Sequence, residues 1–129
     1  MKITVCGSLR YEQEIQYWHE WLSFNGHTVY SMVALPSQKA VAGIAQKDWY
    51  TPEQKQTLDL LHLSKIEESN AILVVDIDGY IGESTKREIE WAVIRRKYIY
   101  YVSRNDHQSL ANPFYHQRVY NNDTSTEQL

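Results

Sequence analysis

The chain has 129 residues, is 43% hydrophobic and carries a formal net charge of −3 at pH 7. That length suits one domain with a real core, and the composition excludes a disordered chain or a general nucleic-acid binder. Cys6 is the only cysteine, which rules out an intramolecular disulfide and suits a reducing compartment.

No apolar run approaches the ~20 residues that cross a bilayer, and no signal peptide is expected, so a cytoplasmic protein without a membrane partner is the reading. Ten tyrosines and four tryptophans are many for one small core. Such amphipathic rings line pockets and subunit contacts, and they also serve as rim packing.

Residues 2–6 (KITVC) read as a short strand that ends at Gly7-Ser8. Tyr11 to Phe24 reads as a helix with Ile15, Trp18, Trp21 and Leu22 on one stripe, stopped by Asn25-Gly26. A second strand is expected from His27 to Val33. The pattern then dissolves from Ala34 to Tyr50, a long connection of the functional or mobile kind. Thr51-Pro52-Glu53 predicts an N-cap, a proline in the first turn and an acid beside it. The helix that follows is expected to turn Leu58, Leu61 and Ile66 inward and to end near Ser69-Asn70.

Residues 71–97 are where chemistry is expected. Ala71 to Val75 is a short, β-branched apolar run, as in a strand covered on both faces. Asp76 to Gly82 has the acids and glycines of a loop. From about Glu83 a helix begins, with Ile89, Ala92, Val93 and Arg96 at helical spacing. Tyr98 to Val102 is the next strand. Phe114, Tyr115, Val119 and Tyr120 suggest one more short element, and residues 121–129 a disordered tail. One domain over residues 1–120 is expected.

Alternating strands and helices predict a flavodoxin-like three-layer α/β/α fold with a parallel sheet of four or five strands, in order 2-1-3-4. Strands one and three are then neighbours, and the loops after them open onto one crevice. Gly7, Ser8 and Arg10 suit a phosphate or a sugar hydroxyl, or form only a tight turn. Gly82, Ser84 and Thr85 repeat the arrangement.

Glu88 has two readings. Thr85-Lys86-Arg87-Glu88 fits a capping box, with Glu88 reaching back to Thr85. Alternatively, Glu88 is a carboxylate nucleophile, held ionised by the helix N-terminus. Asp76, Asp78 and Glu83 are candidate partners for acid–base work or for sugar hydroxyls. The loop acids lack the spacing of a metal site, and no metal or other cofactor is expected. Among five histidines, His62 stands out near the edge of the layer, although a helix-surface role also explains it. Cys6 reads as a small core residue without an evident base.

Cys6-Gly7-Ser8-Leu9-Arg10 after the first strand, the acidic loop, and Glu88-Ile89 followed by Ala92 resemble the nucleoside 2-deoxyribosyltransferase family. The opening motif is most similar to the deoxynucleoside 5′-monophosphate N-glycosidases. The resemblance spans roughly residues 2–102. It implies that Glu88 attacks the anomeric carbon, that Gly7, Ser8 and Arg10 form one substrate loop, and that Gly82, Ser84 and Thr85 lie in a second. It also implies a small nucleoside or nucleotide as partner, not a nucleic-acid polymer, and a homodimer or larger oligomer. Two departures stand out: the family's glycine two residues after the nucleophile is Glu90, and its aspartate before the third strand falls at His62, a candidate proton donor. An N-glycosidase or transferase is the first expectation. A non-catalytic nucleotide-binding or sensing module is the alternative.

Overall fold

The computed structural model describes residues 1–32 and 41–111. Among them, β1 (Lys2–Gly7) leads to α1 (Glu12–Phe24) and then β2 (Thr28–Tyr30). After the long connection come α2 (Pro52–Glu68), β3 (Ala71–Val75), α3 (Glu83–Ile94) and β4 (Tyr98–Tyr101). The strands form one all-parallel sheet in the order β2-β1-β3-β4, as the alternation of elements predicts. The second strand stops at Tyr30, so Ser31 and Met32 fall outside the strand expected to Val33. Val33, the expected element near Phe114 and the expected tail lie outside the described residues.

The three layers follow from the alternation of side chains along the strands. Ile3 and Val5 of β1, with Ala71, Leu73 and Val75 of β3, face α1 and pack on Ile15, Leu22 and Leu110. Cys6, Ile72 and Val74 face the opposite way, onto Ile66 of α2 and Ala92 of α3. Ala71 to Val75 is buried throughout, as a strand covered on both faces requires. Each fully buried aliphatic side chain here contributes roughly 1.5–3 kcal/mol.

The ends of the helices are closed by local chemistry. Asn25 N–H and Gly26 N–H bond the last turn of α1, and His27 N–H reaches Leu22 C=O at 3.1 Å, with Gly26 at φ 85°. Thr51 caps α2 as predicted. Its hydroxyl accepts from Gln54 N–H at 3.1 Å, and Gln54 Oε1 accepts from Thr51 N–H at 2.9 Å, a full capping box.

Two inward stripes differ from expectation. Leu61 is exposed on α2, and the buried positions are His62 and Ile66. On α3, Val93 points outward and Thr85, Glu88 and Ala92 are buried, and Arg96 lies exposed beyond the helix end. Arg96 ends that helix in a left-handed conformation, φ 58°, while Lys97 N–H bonds Ala92 C=O at 3.0 Å. None of the described helices is long and apolar enough to cross a membrane.

Candidate active site

The pairing of Gly7 with Val75 brings the carboxyl ends of β1 and β3 side by side. Gly7 is required there by space. A Cβ would stand 3.1 Å from Val75 O and 3.3 Å from Ile15 Cδ1. Ser8 turns the chain, its hydroxyl accepting from Arg10 N–H at 3.2 Å. Across the crevice Gly82 is the N-cap of α3 and has no side chain to cap it, so the first-turn amides face outward for a ligand or water.

The capping-box reading of Glu88 fails. With Gly82 as N-cap, Thr85 is already inside the helix and buried, and Glu88 is in the second turn. Its carboxylate points into the fold instead of back along the helix. Glu88 is 8% exposed and His62 is 5% exposed, and Glu88 Oε2 stands 3.6 Å from His62 Nε2. Cys6 Sγ lies 3.5 Å from the same nitrogen. Residues 56 and 26 positions apart in the chain thus meet in one buried cluster, because β1, α2 and α3 converge on that face of the sheet.

Burial sets the protonation of this cluster. The Glu88 carboxyl is pushed up to about 8, chiefly by desolvation and only partly offset by the Cys6 thiol. This corrects the expectation of a carboxylate held ionised by the helix terminus, an influence confined to the first turn. His62 is lowered to about 4 by burial, with Lys65 adding to the effect. It is therefore a neutral imidazole near pH 7 and a poor source of a proton, and it is buried and not on the helix surface. Burial, followed by the charge of Glu88, raises the Cys6 thiol well above its ordinary value.

Two adjoining chambers open onto Glu88. The larger, about 460 Å³, is mostly apolar and lined by Leu9, Met32, Tyr50 and Leu58, with Lys47, Lys55, Asp59 and His62. The smaller, about 310 Å³, is bounded by Gly7, Ser8, Gly82, Glu83, Ser84 and Thr85. Leu9, Met32, Lys55, Asp59 and Glu88 line both. The two expected substrate loops therefore do face each other.

Three candidates lie elsewhere. Arg10 stacks over the Tyr80 ring, 4.2 Å from its centroid, and borders a separate groove with Glu12 and Trp49. Asp78 is exposed on the turn after β3 and lines neither chamber. Asp76 is buried and accepts from Ser103, from N–H at 2.9 Å and from the hydroxyl at 2.5 Å, which ties β3 to the end of β4. Sequence reasoning missed Lys55 and Asp59, which form an i,i+4 pair at 3.6 Å on α2. Asp59 lies one turn before His62 on the same face, a spacing that would have revealed it once His62 was singled out.

The fold and site together define a parallel α/β protein with a ligand cleft at the carboxyl edge of its sheet, beside the strands where the winding reverses. No protein-family model matches the sequence, and no curated protein matches it. A solved structure, the CMP N-glycosidase BcmB of Clostridium botulinum, is similar at TM-score 0.47 and 16% identity, over 87% of this chain and 84% of that one. Such a likeness is too distant to assign chemistry.

Proposed function

We propose that this protein cleaves or transfers the N-glycosidic bond of a nucleoside 5′-monophosphate or nucleoside. The observation that carries the reading is that one buried carboxyl, Glu88, lines two adjoining chambers, one largely apolar and the other bounded by the glycines and hydroxyls of the two loops. A planar base suits the apolar chamber, and a sugar with its phosphate suits the chamber of backbone amides and hydroxyls. The bond between base and sugar would then cross the junction, with C1′ facing Glu88.

In the proposed reaction, the Glu88 carboxyl, raised to about 8, first gives its proton to solvent, and the carboxylate then attacks C1′. The C1′–Oε bond forms as the C1′–N bond breaks, and the base leaves with the electron pair and takes a proton from solvent. Water or a second base then attacks C1′ and frees Glu88, the logic of a retaining glycosidase. His62 Nε2 stands beside the carboxyl, 3.6 Å from Glu88 Oε2. Asp59 and Lys55 also line both chambers.

The test is incubation with a panel of nucleosides and 5′-monophosphates, followed by chromatography for released base. Release from at least one member, abolished by Glu88→Gln, is expected. Tight binding of a nucleotide without any release would instead identify a non-catalytic binding module.

A further inference from the structure

We infer that Cys6, His62 and Glu88 form a binding site for a single Zn²⁺-class divalent cation, an activity separate from glycosidic chemistry. The three side chains offer a thiolate sulfur, an imidazole nitrogen and a carboxylate oxygen, the donor set of tetrahedral zinc. Their ligand atoms all lie within 4.8 Å of one another.

The spacing decides between a ligand set and chance neighbours. Bond lengths of about 2.0–2.3 Å around a tetrahedral zinc put neighbouring ligand atoms roughly 3.3–3.6 Å apart. Cys6 Sγ to His62 Nε2 is 3.5 Å, and His62 Nε2 to Glu88 Oε2 is 3.6 Å. The first is also a normal sulfur hydrogen bond and the second is too long for a hydrogen bond, and both match edges of a coordination tetrahedron. Glu88 Oε2 has no hydrogen-bond partner among the described residues although it is fully buried, so it carries an unmet need for a donor or a cation.

The cluster is also chemically ready. His62 would bind through the lone pair of Nε2, the ring nitrogen that stands between Cys6 Sγ and Glu88 Oε2. Loading exchanges the thiol proton of Cys6, and any proton on Glu88, for the cation, and both protons pass to solvent. His62 and Glu88 also line the larger chamber, which gives a cation a route to the cluster. A bound cation occupies the carboxylate that the proposed nucleophile uses, so cation and C1′ exclude each other.

The experiment is titration of the chelator-treated full chain with Co²⁺ alone, followed in the visible and near-ultraviolet, and then displacement with Zn²⁺. The expected result is one Co²⁺ per chain, a thiolate-to-cobalt charge-transfer band, and loss of that band as Zn²⁺ takes the site. Cys6 is the only cysteine in the chain, so the wild-type band alone reports its ligation. His62→Gln and Glu88→Gln should each weaken Co²⁺ binding by more than about tenfold, and His19→Ala should leave it unchanged. A spectrum without the charge-transfer band, or binding that survives both His62→Gln and Glu88→Gln, overturns the site. Neither outcome depends on base release, so this inference and the glycosidic reading fail separately.

Discussion

Glu88 Oε2 stands 3.6 Å from His62 Nε2 in a site where both side chains are about nine-tenths buried. Burial pushes the two groups in opposite directions, Glu88 up to about 8 and His62 down to about 4. Their effects on folding oppose each other in one pH range and separate in another.

The signs follow from linkage. Glu88 titrates higher in the folded chain than the 4.5 of the free side chain, so its contribution to stability is complete below pH 4.5 and is lost as pH rises through about 8. His62 titrates below its ordinary 6.5, so its contribution is complete above pH 6.5 and is lost as pH falls toward about 4. The two slopes oppose each other between 4.5 and 6.5, and from 6.5 to about 8 only the Glu88 slope remains. Urea melts across that upper window should show stability falling by up to ~1.4 kcal/mol per pH unit. Glu88→Gln should flatten the fall, and a wild-type profile that is already flat contradicts the buried, protonated carboxyl.

Nucleotide and nucleoside should bind differently. Lys55 lines both chambers, whereas Arg10 is stacked on Tyr80 beside another groove, so Lys55 is the cation placed to meet a 5′-phosphate. Calorimetry on matched pairs should favour the monophosphate by more than ~1.4 kcal/mol, about tenfold. Lys55→Met should remove most of that preference while sparing the nucleoside. Equal affinities in the wild type would point to a free nucleoside as the substrate.

The end of α3 carries a correctable strain. Arg96 holds φ 58° at the position after the helix where glycine is favoured. Arg96→Gly should therefore raise stability by about 0.5–1 kcal/mol, net of the extra freedom glycine gives the unfolded chain. A lower melting temperature for that variant would show that the Arg96 side chain holds more than the turn does.

Helices α2 and α3 bear on assembly. Leu60, Leu61, Val93 and Ile94 are exposed on their outer faces, while polar residues of the same helices face the site. A groove bordered by Leu63, Trp91 and Ile94 shares Asp59, Ser84 and Glu88 with the cleft. A homodimer through this face is expected, with light scattering at micromolar concentration reading twice the chain mass. Ile94→Arg should shift that to the monomer, and a monomeric wild type removes the idea.

The same two helices explain what the sequence disclosed and what it hid. The strands were legible because Ala71 to Val75 and residues 3–7 of β1 are short runs buried on both faces, and the strand–helix alternation then implied the sheet order. Thr51-Pro52 was legible because a cap is local chemistry. The inward stripes of α2 and α3 were misread because their buried positions, His62, Thr85 and Glu88, are polar residues serving the cleft. Moving from Leu61 to His62 is one residue, about 100° around the helix. The Cys6–His62–Glu88 cluster was invisible for a different reason. It joins three elements distant in sequence, and no periodicity or spacing within one element records it.

The central claim is that Glu88 forms a covalent bond to the sugar. Its most direct measurement is intact-mass and peptide analysis of the protein quenched during turnover of whichever panel nucleotide or nucleoside releases base. An added mass equal to one glycosyl or phosphoglycosyl group, mapped to Glu88 and absent in Glu88→Gln, is the predicted result. Base release at full rate by Glu88→Gln, or an adduct mapped to a different residue, contradicts it.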